Sequence, residues 1–163
     1  MSVFRKMMMP INFVNGDPLL TQCQTLAIGH NRLGRTENTP FSMQMMRHYP
    51  VAFASYERRC KAQQQSGGSL FVATQSQPQI LFLTVRDSSV GATRLRHVQA
   101  CLMTIARDYL SYGIKSLAIA PLGESDTHAD IHQLLLTYFA KSKLQLIVYE
   151  EYQAGVKAEE NLA

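Results

Sequence analysis

Four polar loops interrupt the apolar stretches of this sequence, and two of them carry side chains suited to hydrogen-bonding a ligand. Asp17 lies in the turn at 15–18, and an ionised carboxylate only accepts hydrogen bonds. Asn31 follows the apolar segment 25–28, and its amide both donates and accepts hydrogen bonds. Each residue also has a plainer interpretation, because Asp often binds its own turn backbone and Asn is common in loops.

A second constellation has the spacing of a metal site. His128 and His132 are four residues apart, so a helix places both rings on one face, where a metal ion could bridge them. The HExxH pattern of zinc enzymes is absent, and Asp126 or Thr127 is suited to capping that helix. We therefore predict no metal site, and the sequence assigns no catalytic residue.

Composition and charge indicate an ordinary globular chain. Hydrophobic residues make up 46% and charged residues 17% of the 163, with a net charge of +4. Residues 1–100 carry eleven Lys/Arg against four Asp/Glu, whereas residues 101–163 carry five against eight. The basic half could attract a phosphate-bearing ligand or nucleic acid, but solvated surface charge is the plainer interpretation.

The cysteines and the N-terminus bear on the cellular compartment. The chain has three cysteines, which are widely spaced: Cys23, Cys60 and Cys101. An odd number at such spacing predicts neither a disulfide framework nor a zinc knuckle. Reduced thiols predict a cytoplasmic location, and Cys101 is expected in the core. No stretch is long enough to span a membrane, and residues 1–10 lack the pattern of a signal peptide.

Strands and helices alternate along the chain. The clearest helix is expected over 94–112, where apolar residues step by three and four: Leu95, Val98, Leu102, Ile105 and Tyr109. Further helices are expected at 41–48, 51–65 and 129–141. Strands are expected at 11–14, 25–28, 70–74, 80–85, 116–120 and 144–149.

This alternation predicts an α/β fold with helices on both faces of the sheet. Ligands of such folds bind beyond the carboxyl ends of the strands. The loops expected to form a site are therefore 15–18, 29–40, 86–93 and 121–128.

Several segments in this order resemble a known family. They are INFVNGDPLL (11–20), TLAIGHN (25–31), YPVAFASYERRC (49–60), IKSLAIAPLG (114–123) and IVYE (147–150). Together they resemble the macro domains, which bind ADP-ribose, and most of all the branch with DNA ADP-ribosyl glycohydrolase antitoxins and terminal ADP-ribose glycohydrolases. The resemblance implies a three-layer α/β/α fold with a mixed central sheet over 11–152. Residues 1–10 would form an extension and 153–163 a flexible tail.

The resemblance also assigns roles to individual positions. Asp17 matches the aspartate that accepts from the adenine amino group, and Asn31 matches the asparagine that contacts the distal ribose. Gly34 and Gly123 match glycines of the two phosphate loops. Arg35 and Ser125 stand beside these glycines, so they complete the expected ligand-binding set together with Arg86.

Three departures from the family pattern fall in the expected pocket. Glu37 follows Gly34 where further glycines are usual, and Glu124 follows Gly123, so each brings a negative charge toward a diphosphate. Arg86 stands where the branch has a nucleophilic lysine. Because arginine stays protonated, it cannot attack as an amine and would instead bind phosphate or a carboxylate.

Three functions remain open on the sequence. The leading one is a divergent macro domain that binds ADP-ribose, a related adenine nucleotide or an ADP-ribosylated macromolecule, without a cofactor. The second is a glycohydrolase that removes ADP-ribose from protein or nucleic acid, with either a water held by Asn31 or a carboxylate such as Asp126 or Glu124 acting as base. The third is a non-catalytic RNA- or protein-binding module whose pocket is lost. RNA or DNA is thus a further candidate partner, and no membrane partner is expected.

Overall fold

A six-stranded β-sheet lies between two layers of helices in the computed structural model of this chain, which describes residues 11–162. The strands are β1 (Ile11–Gly16), β2 (Thr25–Asn31), β3 (Leu70–Ala73), β4 (Gln79–Arg86), β5 (Ser116–Ile119) and β6 (Gln145–Tyr152). The helices are α1 (Pro40–His48), α2 (Pro50–Lys61), α3 (Leu95–Asp108) and α4 (His128–Phe139), with short 3₁₀ turns at Pro18–Leu20 and Ser125–Thr127. The predicted extension at 1–10 lies outside the described residues. Among the described helices, none combines the length and apolar character needed to cross a bilayer.

The strand order β1-β6-β5-β2-β4-β3 makes the sheet mixed. Every neighbouring pair is parallel except β3 and β4, which are antiparallel. The predicted α/β/α class with a mixed central sheet is therefore confirmed. The parallel order brings the carboxyl ends of β2, β4 and β5 to one edge, where the polar loops predicted to form a site follow them.

Each face of the sheet has its own hydrophobic core. Helices α3 and α4 cover the face that carries Leu81, Leu83 and Val85 of β4, whereas α1 and α2 cover the face that carries Ile80 and Phe82. The stripe predicted on α3 is confirmed, since Val98, Leu102 and Ile105 are fully buried, as is Cys101. Alternation along β4 thus divides its side chains between two cores, as a strand covered on both faces requires.

Two strands run three residues further than their apolar stretches predicted. β2 continues through Gly29 and His30 to Asn31, and β6 continues to Tyr152. His30 and Asn31 are polar but buried, and they stay in the strand because the Glu37 carboxylate, seven and six residues further on, is their hydrogen-bond partner. Helix α2 instead ends early, at Lys61, because Gln63 has a left-handed backbone with φ of 58°.

The segment 153–162, which the sequence predicts to be a flexible tail, makes side-chain and backbone contacts with the rest of the fold. Glu160 is 6% exposed, and its carboxylate accepts hydrogen bonds from Thr21 Oγ1 (2.5 Å), the Gln22 amide (2.8 Å) and Tyr149 Oη (2.6 Å). Burial and the neighbouring carboxylate raise the pKa of Tyr149, so its hydroxyl remains a donor. The polar composition of this segment does not reveal that Glu160 anchors it, because Thr21 and Gln22, two of its partners, lie far away in sequence.

Replacing Glu160 by alanine should destabilise the fold. The substitution leaves three hydrogen-bond donors without an acceptor, and a buried unsatisfied donor costs about 1–3 kcal/mol. We expect Glu160→Ala to lower the free energy of unfolding in chemical denaturation by about 2 kcal/mol. The neighbouring Glu159 has an exposed side chain, so Glu159→Ala is the matched control and should change stability little. Equal effects of the two substitutions would contradict the anchoring role.

Candidate functional site

A cleft of about 610 Å³ opens at the carboxyl ends of β2, β4 and β5. It lies between the loop that leads into α1, the loop after β4 and the loop after β5. Its lining includes Gly29, Glu37, Phe41, Arg86, Val90, Gly123, Glu124 and Tyr152. This is the edge of the sheet at which open α/β folds bind ligands.

A buried ion pair forms the floor of the cleft. Arg86 Nη2 lies 2.8 Å from Glu37 Oε1, and Arg86 Nε lies 3.1 Å from Glu37 Oε2, so the contact is bidentate. The side chains are only 15% and 8% exposed. Arg86 thus binds a carboxylate of its own chain, one of the two kinds of partner expected for it. The negative charge of Glu37 is therefore paired with the guanidinium of Arg86, although Glu37 also lines the cleft.

The end of β2 completes this ion pair. His30 Nδ1 lies 3.2 Å from Glu37 Oε2, and Asn31 Nδ2 donates to the same oxygen at 2.8 Å. A β-bulge between His30 and Asn31 brings Asn31 opposite Arg86, whereas His30 pairs with Thr84. The irregularity in register is what lets Asn31 of β2 and Arg86 of β4 meet the same carboxylate.

These partners fix the ionisation of Glu37. Burial alone would raise its pKa, but the hydrogen bond from His30, the guanidinium of Arg86 and the Asn31 amide outweigh it. The pKa of Glu37 is lowered to about 2. The carboxylate therefore stays ionised at neutral pH, and the Arg86 charge opposite it is retained.

The network continues across the cleft to the loop after β5. Arg86 Nη2 donates to the Gly29 carbonyl (2.9 Å) and Nη1 to Thr93 Oγ1 (3.0 Å). Thr93 in turn donates through its amide (3.1 Å) and its hydroxyl (2.8 Å) to the carboxylate of Glu124. Both glutamates expected to repel a diphosphate are thus held by protein donors.

Asn31 is oriented into the protein. Its amide nitrogen also donates to the Arg35 carbonyl (2.9 Å), and its Oδ1 accepts from the amides of Leu33 (3.2 Å) and Arg35 (3.1 Å). The residue is fully buried and does not line the cleft. In this arrangement Asn31 shapes the loop at 32–37.

Asp17 lies apart from the Glu37 network. Its Oδ1 accepts from the Leu19 amide (3.0 Å) and its Oδ2 from the Gly155 amide (2.8 Å), and the residue is 6% exposed. Asp17 directly follows Gly16, whose register partner in β6 is Tyr152. Tyr152 lines the cleft, and burial together with the charge of Asp17 raises the pKa of its phenol.

The remaining predicted site residues divide between the cleft and its supports. Gly123 lines the cleft with φ of +75°, and a Cβ atom there would clash with Thr127 Oγ1. Gly34 packs closely against Cys60 of α2 and lies outside the cleft lining. Arg35 and Ser125 are exposed and do not line the cleft either.

Two aromatic rings in the cleft were not singled out from the sequence. Phe41 and Tyr152 meet edge to face with ring centroids 5.2 Å apart, and both line the cleft. Phe41 was predicted only as the first residue of a helix, and Tyr152 lies beyond the predicted end of the last strand. The polar run after Tyr149 (Glu150, Glu151) concealed the continuation of that strand.

The histidine pair belongs to a different surface. His132 Nδ1 lies 3.0 Å and His128 Nε2 3.4 Å from Glu150 Oε2, and the His132 ring stacks on Phe13. Within residues 11–162, no group of three or more His, Cys, Asp or Glu side chains has the arrangement of a metal site. The two histidines bind a carboxylate and lie outside the main cleft.

Removing the charge of Glu37 should change how stability depends on pH. Its folded pKa of about 2 lies below the ordinary value of 4.5, so its stabilisation is complete above about pH 4.5 and disappears as the pH falls toward 2. We expect Glu37→Gln to be less stable than the native chain at pH 7, with a difference that shrinks toward pH 2. Denaturant unfolding at several pH values measures it. Glu159→Gln, on an exposed side chain, is the control; a pH-independent Glu37→Gln difference would contradict the ion-pair assignment.

Comparison with known proteins shows which proteins this chain is similar to in sequence and in fold. No family model matches the chain. DNA ADP-ribosyl glycohydrolases from Mycobacterium tuberculosis and Mycobacterium bovis are each 26% identical to it over 136 residues. The match covers 79% of this chain and 38% of each relative, so the chain spans about two fifths of their length.

Solved structures show the same fold. The macrodomain of Thermus aquaticus DarG has a TM-score of 0.78 and 21% identity, over 86% of this chain and 97% of that one. The macrodomain of Mycobacterium tuberculosis DarG gives 0.76 and 24%, over 85% and 96%. Thermosipho africanus DarTG in complex with ADP-ribose gives 0.77 and 18%, over 90% and 42%. The chain therefore has the macrodomain fold, and its sequence makes it a distant relative of the DNA ADP-ribosyl glycohydrolases.

Proposed function

We propose that this chain binds an ADP-ribose-like adenine nucleotide, free or attached to a macromolecule, in the cleft above β2, β4 and β5. The observation that carries the proposal is the position and size of the cleft. It lies at the ligand-binding edge of the sheet, and its volume of about 610 Å³ falls within the usual range for small-molecule sites. The resemblance to a DarTG structure that holds ADP-ribose supports the same ligand class.

One end of the cleft suits a purine base. Phe41 and Tyr152 offer aromatic surface, and Asp17 follows Gly16, the register partner of Tyr152. The Asp17 carboxylate accepts from the Leu19 and Gly155 amides, and a ligand amine would replace the Gly155 amide as donor to Oδ2. An adenine amino group is a donor that such a carboxylate can accept. We therefore assign adenine to this end of the cleft.

The other end of the cleft suits ribose and phosphate, but it attracts the negative charge of a phosphate only modestly. Gly91 and Gly123 have no side chain to cover their backbone, so a ligand in the cleft can approach it closely, and Arg86 contributes a cation. Glu37 and Glu124 also line the cleft, so the three ionised side chains together carry a formal charge of −1. A diphosphate gains less here than in a cationic site, because the nearby positive charge is already paired. We expect the base and ribose to supply most of the binding.

Affinity should respond to charge at the rim of the cleft. Val90 lines the cleft and is 95% exposed, so a charged residue there adds an electrostatic term without disturbing the core. We expect Val90→Lys to bind ADP-ribose about threefold more tightly, and Val90→Asp about threefold more weakly, than the native chain at low salt. Titration calorimetry with ADP-ribose measures both.

Adenosine is the control ligand, since it lacks the diphosphate and should bind both variants equally. Lack of any heat with native protein at high micromolar ADP-ribose would rule the proposal out. A salt-dependent shift with single-stranded RNA in that case would instead favour a nucleic-acid-binding module.

A second candidate function is glycohydrolysis, and the placement of Glu124 favours it. Its carboxylate lines the cleft and is oriented by two donors from Thr93, as a general base must be. Arg86 cannot serve as an amine nucleophile, so water activated by Glu124 would attack the anomeric carbon directly. The bond between ADP-ribose and its acceptor breaks, and the proton taken from water returns to the leaving acceptor.

A turnover assay with a matched carboxamide pair tests this second candidate. If native protein releases ADP-ribose from modified DNA or protein, Glu124→Gln should slow release by about 100-fold, the usual scale for losing a general base. Asp126 is exposed and lies outside the cleft lining, so Asp126→Asn should keep the native rate. Background release from native protein, or equal loss in both variants, would argue against Glu124 as the base.

A further inference from the structure

The segment 153–162 begins where the cleft ends. Tyr152 lines the cleft and is the last residue of β6, so the segment continues directly from a cleft wall. Its first residue returns to β1, because the Gln153 amide donates to the Gly16 carbonyl at 2.9 Å. The segment is therefore placed to act on the base end of the cleft.

The first half of this segment forms hydrogen bonds with Asp17. The Gly155 amide donates to Asp17 Oδ2 at 2.8 Å, while the Asp17 amide donates to the Val156 carbonyl at 2.6 Å. Together with the Leu19 amide on Oδ1, these contacts engage the backbone and both carboxylate oxygens of Asp17. A ligand amine that donated to Oδ2 would have to compete with the Gly155 amide for it.

The two halves of the segment are held unequally. Residues 154–157 are all exposed, and Gly155 has φ of +75° with open space around the position of a side chain. Glu160, in contrast, is buried and accepts from Thr21, Gln22 and Tyr149. The segment can therefore open around Gly155 while its Glu160 anchor stays in place.

We propose that residues 153–157 form a strap that competes with the ligand for Asp17, hinged between β6 and the Glu160 anchor. The inference rests on the proposed function, because it takes the amine of an adenine nucleotide as the competing donor. With the strap closed, Asp17 is satisfied internally. Ligand binding opens the strap at Gly155, so apparent affinity depends on the fraction of molecules in which it is open.

Two glycines make a matched pair for testing the strap. Gly155 and Gly113 have positive φ of 75° and 71°, and a Cβ at either meets nothing within 4 Å. Alanine therefore imposes similar backbone strain at both. Gly113 lies after α3, on no cleft wall, so its substitution should affect global stability alone.

We expect Gly155→Ala to bind ADP-ribose about fivefold more tightly than Gly113→Ala, because the strain raises the open fraction. Titration calorimetry gives the affinities. Amide hydrogen exchange at Asp17 and at residue 155 gives an independent measure, with faster exchange expected in Gly155→Ala only. An analogue with hypoxanthine in place of adenine lacks the amino donor, so its affinity should not rise in Gly155→Ala.

The outcomes separate the strap from the proposed function. Measurable binding with equal affinities in the two variants overturns the strap and leaves the proposed function standing. Weaker binding in Gly155→Ala also overturns it, since the segment would then be building the site. Absence of binding in native protein and both variants overturns the proposed function itself and the strap with it.

Discussion

The ion pair between Glu37 and Arg86 is the constraint on which the rest of the site depends. Removing two charges from water is costly unless good geometry and further hydrogen bonds compensate. Here Arg86 binds Glu37 through two nitrogens, and His30 and Asn31 complete the set of donors around the carboxylate. Because these residues come from β2, β4 and the loop before α1, satisfying one carboxylate fixes all three elements relative to one another.

The same constraint explains which parts of the molecule the sequence predicts. Strand and helix order follow from apolar periodicity, as the buried stripe of α3 illustrates. Glu37 was expected to oppose a diphosphate, because local sequence does not show that Arg86, 49 positions later, neutralises it. The docking of Glu160 escaped prediction for the same reason. Hydrophobic periodicity gives least information about polar residues that are buried against partners far away in the sequence.

The cleft lies at the carboxyl ends of the strands in a macrodomain fold, and its cation is already paired. Arg86 is committed to Glu37 and Thr93, and Asn31 faces inward. A site in which the cation is already paired discriminates less by ligand charge and more by shape and by donors such as an amine. Such chemistry is compatible with recognition of an adenine nucleotide and places the weight of selectivity on the base.

The docked segment also matters for the sheet as a whole. β1 is one of its two edge strands, and open edge strands are templates for pairing with other molecules. The segment contacts both ends of this strand, since the Gln153 amide donates to the Gly16 carbonyl and the Asn12 side-chain amide donates to the carbonyls of residues 159 and 160. It therefore helps to hold β1 in the sheet. A chain that lacked it would hold this edge strand less firmly, and a loosened edge strand is open to pairing with other molecules.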